Sequence, residues 1–124
     1  MALRQVIITI LILGPGAGLA GAHAAVVESS PKDKEVLILA PKEVVLRLNA
    51  KIEKSLARFS LTTSNGRIIP LPIPIKKYNA EDPNRLVIPL PTLGPGNYFL
   101  RYKVLSIDGH TTIGVLRFSV MNGK

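Results

Sequence analysis

The 124-residue chain contains no cysteine. That excludes disulfides, thiolate metal sites, a cysteine nucleophile and a cysteine-linked lipid anchor. Histidine is scarce, with two residues, and acid is short, with eight Asp and Glu against sixteen Lys and Arg. Aromatic residues make up 5 % of the chain, so a core must be mainly aliphatic. There is no internal repeat, no linker-like stretch and no pattern for a long helix. No serine–histidine–acid set, phosphate-binding loop or pair of catalytic carboxylates stands out. Asp33, Glu35, Glu43 and Glu53 read as surface residues without an assigned role.

What is present begins with a targeting pattern. Arg4 supplies a positive start, Val6–Leu13 an apolar run of eight residues, and Gly14-Pro15-Gly16 a break before Ala20-Gly21-Ala22. Small residues at the −3 and −1 positions complete a secretory signal. The apolar run is short of the ~20 residues that span a bilayer, and there is no twin arginine. The expected division is a signal peptide at 1–22, cleaved after Ala22, and one mature domain at 23–124. Removing 22 residues from 124 leaves 102, enough for a single two-layer core. The formal charge of +8 loses one unit with Arg4. Such a balance fits nucleic acid or anionic membrane, and export removes nucleic acid. The basic residues are scattered, so a solvated surface is the plain reading and weak contact with an anionic membrane surface the other.

Apolar residues alternate with a period of two. Val44, Leu46 and Leu48 form one such set, Ala57, Phe59, Leu61 and Thr63 a second, Tyr98, Leu100, Tyr102 and Val104 a third, and Leu116, Phe118 and Val120 a fourth. One face of each strand therefore points into a core. A first short strand is expected near Ala25–Ser29. Asn65-Gly66 predicts a tight hairpin with two positive-φ residues. Turns are also expected at Leu93–Asn97 and Asp108-Gly109. Lys51–Leu56 reads as a helical turn, Tyr78–Asn84 as a loop, and Pro70–Pro74 as an edge strand or extended loop. Pro89 and Pro91 place their strand at a sheet edge or bend. The fold class expected is all-β: a Greek-key antiparallel sandwich of about seven strands, immunoglobulin-like or cupredoxin-like.

Cleavage after Ala22 would make His23 the first residue. An N-terminal histidine offers its α-amine and its imidazole to one ion, once both have lost their protons. The other histidine lies in Ser106-Ile107-Asp108-Gly109-His110. Asp108 and His110 are two apart, so in extended backbone they point the same way. Amine, two imidazoles and a carboxylate then make four donors, a set that suits tetragonal Cu(II). Asp-Gly-His alone is a common turn. Its pairing with a predicted terminal histidine gives the motif its weight. The expected ligands are His23, Asp108 and His110.

Several stretches resemble the CopC family of exported copper-resistance proteins. They are His23-Ala24, Glu28–Asp33, Ala40–Leu48, Leu93–Tyr98 and, most specifically, Val104–Gly114 (VLSIDGHTTIG). The resemblance covers nearly the whole of 23–124. It implies one Cu(II) per chain on His23, Asp108 and His110, and a monomeric periplasmic or extracytoplasmic carrier or buffer, not an enzyme. It also implies a separate CopD-type membrane copper transporter as partner. The chain departs from the family in three ways. Its methionines are Met1 and Met121, so it lacks the methionine-rich loop of some members. Leu48–Lys51 replaces a stretch with a carboxylate, and losing a group that supports metal ligands typically weakens binding ~10- to 100-fold. Lys34 stands where the family's turn has glycine. Two other readings are a copper monooxygenase with an N-terminal histidine site and a metal-free interaction domain. The first needs an open coordination position, which Asp108 would fill, and a substrate surface, often aromatic. The second requires that His23 and His110 stay apart.

Overall fold

The structure is a computed structural model that describes residues 25–72 and 82–122. The expected leader at 1–22, His23 and most of the expected Tyr78–Asn84 loop lie outside the described residues. Eight strands run in chain order: β1 (Val26–Ser30), β2 (Glu35–Leu37), β3 (Glu43–Leu48), β4 (Arg58–Thr63), β5 (Ile68–Ile69), β6 (Arg85–Pro89), β7 (Gly96–Leu105) and β8 (Thr111–Val120). A 3-10 turn at Lys54–Leu56 precedes β4, where a helical turn was expected. The strands form two sheets, of order β1-β3-β6 and β2-β8-β7-β4-β5.

The two-residue period does the folding work. Val44, Leu46 and Leu48 of the small sheet meet Leu61, Leu100 and Phe118 of the large one, all at most 1 % exposed. Burying each such side chain contributes about 1.5–3 kcal/mol. Tyr98 stacks on Phe118 with ring centroids 5.5 Å apart, and its hydroxyl donates to the Gly94 carbonyl at 2.6 Å. Gly114 lies opposite Tyr102 in the β7–β8 ladder. A Cβ there would sit 2.2 Å from the Tyr102 hydroxyl oxygen, so the ring lies where any side chain at 114 would go. Pro89 ends β6 at the edge of the small sheet, as expected.

Three local expectations are corrected. One strand pair is parallel: β2 pairs with β8, Glu35 opposite Phe118. The chain leaves the small sheet after Ser30, turns through Pro31–Lys34 and reaches the edge of the large sheet running in the direction of β8. The Asn65-Gly66 hairpin does not use two positive-φ residues. Only Gly66 has positive φ, at 89°, and Thr63 and Arg67 close a three-residue loop, the arrangement of a turn followed by a glycine bulge. β8 begins at Thr111, five residues before the alternation at Leu116, because ten residue pairs with β7 carry it back to the Asp108-Gly109 turn.

Candidate metal centre

The β7–β8 turn is built by its own polar groups. The Ser106 backbone amide donates to the His110 carbonyl at 2.9 Å, and the Gly109 amide to the Ser106 carbonyl at 2.9 Å. Gly109 has φ +96°, a conformation that favours glycine. Among the described residues Ser106 is the buried polar one, 2 % exposed. Its side-chain hydroxyl bonds to Asp108 Oδ1 and lies 3.2 Å from the His110 carbonyl oxygen.

Asp108 Oδ1 is the hub. It lies 3.0 Å from His110 Nδ1 and accepts from the His110 backbone amide at 3.3 Å. The Ser106 hydroxyl first, then the His110 imidazole and amide, hold the Asp108 carboxyl down at about 2, below its ordinary 3.8. It is therefore a carboxylate at any physiological pH. Both side chains stay accessible, 60 % for Asp108 and 43 % for His110. The structure thus brings together two of the three predicted ligands. Among the described residues, no group of three His, Asp or Glu side chains is placed to hold a metal. His23 lies outside them.

The described start of the chain is anchored toward the same turn. Ala25 donates its amide to Asn49 Oδ1 at 2.7 Å, and its carbonyl accepts from the Asn49 amide at 3.0 Å. From Asn49 the chain continues to Lys51, whose carbonyl accepts from the Ile107 amide at 3.1 Å. Ile52 then bridges to Ser106. His23 is two residues before Ala25, and two residues reach at most about 7 Å.

Sequence reasoning passed over Ser106 and Asn49. The signal for Ser106 was its place two residues before an aspartate, where a hydroxyl readily closes a local turn. Nothing in the sequence marked Asn49. A groove of about 440 Å³ lies elsewhere, lined by Val26, Glu28, Asp33, Leu46 and Tyr102 among others, and includes neither Asp108 nor His110. An exposed carboxylate–imidazole pair has better chemistry for a cation than that groove has.

Two packed sheets with an exposed acid–imidazole turn at one end define a small β-sandwich protein. The chain belongs to the CopC family: the CopC domain profile matches residues 26–121. Protein YobA of Escherichia coli (strain K12) is 33 % identical over 101 residues, covering 80 % of this chain and 79 % of YobA. Copper transport protein CutJ of Bacillus subtilis (strain 168) is 32 % identical over 101 residues, covering 80 % of this chain but 18 % of CutJ. Among solved structures, CopC from Methylosinus trichosporium OB3b superposes with a TM-score of 0.72 at 31 % identity, covering 80 % of this chain and 94 % of that one. PcoC, described as a methionine-rich copper resistance protein from Escherichia coli, gives 0.66 at 23 % identity, covering 80 % and 99 %, and speaks to the fold alone.

Proposed function

We propose that residues 1–22 direct export and that the mature domain, 23–124, holds one Cu(II) through His23, Asp108 and His110. The observation that carries this reading is the Asp108–His110 pair, 3.0 Å apart and braced by Ser106. Two donors each about 2.0 Å from a tetragonal ion and at right angles to one another lie about 2.8 Å apart. The spacing therefore suits neighbouring ligands on one ion. The α-amine and imidazole of His23 would supply the remaining two donors.

The role is an extracytoplasmic copper carrier or buffer that acts as a monomer, without enzymatic activity, and passes its ion to a CopD-type membrane protein. CutJ supports this division of labour, since a copper transport protein includes a segment like this chain within a much longer one. Copper resistance and copper transport in the names of relatives point the same way.

The test is a Cu(II) titration of the exported protein, its N-terminus checked by mass spectrometry, beside a variant with one Ala inserted between Ala22 and His23. Electron paramagnetic resonance should give a 1:1 tetragonal, nitrogen-rich signal for the parent and at least about 100-fold weaker binding for the insertion. Occupancy should also fall between about pH 7 and 4, since imidazole and amine must lose protons to bind. Equal binding by both proteins would remove the terminal amine from the site. No binding by either would remove copper.

A further inference from the structure

The two sheets carry opposite kinds of outer face. On the small sheet, charges of both signs mix: Glu28 pairs with Arg47 at 2.8 Å, and Glu43 and Arg85 sit on neighbouring strands. The four strands β4, β5, β7 and β8 of the large sheet contain no Asp or Glu at all. Their register places Arg58, Lys103 and Ile113 side by side in one row across the face, and Ser60, Arg101 and Val115 in the next. Alternate residues Leu100, Val104 and Leu116 are buried, so these rows face outward.

The rows combine fixed positive charge with exposed aliphatic surface. Ile113 is 73 % exposed and Val115 39 %. Arg101 lies flat, its guanidinium 5.7 Å from the Phe99 ring centroid and bonded to Thr62 Oγ1 at 2.9 Å. Arg117, on the same face, is already paired with Asp33 at 2.9 Å. Among the described residues, Arg58, Arg101 and Lys103 take part in no ion pair. The row nearest the β7–β8 turn is the one with Arg58, Lys103 and Ile113. Beyond it the ladder has one more outward pair, Leu105 with Thr111, before Asp108 and His110.

We infer that this end of the large sheet docks flat on an anionic lipid surface, with Arg58, Arg101 and Lys103 on the headgroups and Ile113 beside them on β8. A basic face with an aliphatic flank suits the boundary of headgroup and acyl chain, where cations gain from surface potential and aliphatic side chains from burial. A second copy set face to face on this surface would bring like charges together. The inference goes beyond the copper reading and does not depend on it. It would, however, hold the Asp108–His110 turn beside the membrane.

The test is co-sedimentation of the metal-free exported protein with vesicles of phosphatidylcholine alone or with about one third phosphatidylglycerol. Binding should require the anionic lipid and should weaken as salt shortens the screening length. A variant combining Arg58→Gln, Arg101→Gln and Lys103→Gln should partition about 100-fold less, at about fivefold per cation. A charge-matched control combining Lys32→Gln, Lys42→Gln and Arg67→Gln should lose at most a few-fold, and Ile113→Ser about fivefold. Circular dichroism confirms that each variant is folded. Equal loss in the two triple variants would overturn the inference in favour of net charge alone, as would absence of binding. Binding to soluble polyglutamate at least as tight as to the vesicles, with no effect of Ile113→Ser, would overturn it in favour of an acidic protein partner.

Discussion

Two aspartates in turns that lead into the large sheet show how similar chemistry is put to different ends. Asp33 accepts from the Arg117 side chain at 2.9 and 3.2 Å and from its backbone amide at 2.8 Å. Arg117 holds the Asp33 carboxyl below its ordinary value, and Asp33 in turn raises the guanidinium. Asp108 sits in the turn before β8, whose first residue, Thr111, is about 20 Å from Arg117 along the strand at 3.3 Å per residue. It is held by a hydroxyl, an imidazole and an amide, with no guanidinium among them. A permanent cation satisfies a carboxylate for good and ties β8 to the turn before β2. An imidazole is a weaker tie, and on the proposed reading a metal ion would take the place of its proton. The first arrangement is a clasp, the second a poised donor pair.

The contrast is broken most strongly at the site. Asp108→Asn removes a proposed ligand while keeping an oxygen that accepts the turn's hydrogen bonds. Cu(II) affinity should fall more than about 100-fold, beyond the range typical of groups that only support ligands. The melting temperature of the metal-free protein should move less than about 2 °C, as for most exposed substitutions. A large loss of stability with copper binding intact would make Asp108 a clasp like Asp33.

Asp33→Asn should do the reverse. Hydrogen bonds to charged groups contribute about 1.5–3 kcal/mol, and here the partners are 42–45 % exposed, which reduces the figure to about 1 kcal/mol. The melting temperature should drop about 4–8 °C, with copper affinity unchanged within about twofold. The pH dependence has a definite sign. Because the folded carboxyl titrates below 3.8, its contribution is fully present above about pH 4 and is lost as pH falls through the folded value. Denaturation followed from pH 6 down to 2 should therefore show parent and variant converging in acid. A gap that stays constant would mean that shape, not charge, makes the clasp.

These two sites differ in how far the sequence announced them. Strands with one buried face were legible, because alternation in β3, β4, β7 and β8 is imposed by the pleat. Asp108 and His110 were legible as a pair from their spacing, but a turn at Gly109 brings them together, not the extended backbone expected. Asp33 was read as an idle surface acid because its partner is 84 positions away, and no local pattern encodes that contact. β2 escaped for a related reason. Three residues with two exposed positions carry no period, and its parallel pairing depends on the path of the turn before it. Ser106 was visible as a letter but not as a brace, since its bridge partner, Ile52, is far away in the sequence.

The smallest expected effect lies beside the clasp. Lys34 has φ +70°, a left-handed conformation that costs a side-chain-bearing residue about 1 kcal/mol or more, in a turn where the family resemblance places glycine. Lys34→Gly should relieve that strain, but glycine gives back about 0.4–1 kcal/mol through the unfolded chain. The lysine charge also helps to hold the Asp33 carboxyl low, and that contribution goes too. The melting temperature should thus rise by no more than about 4 °C at neutral pH. In Asp33→Asn, where the lysine charge has no carboxylate to favour, the same substitution should raise it further. A fall in both backgrounds would show that the turn depends on the lysine side chain for packing, and that the clasp extends one residue beyond Asp33.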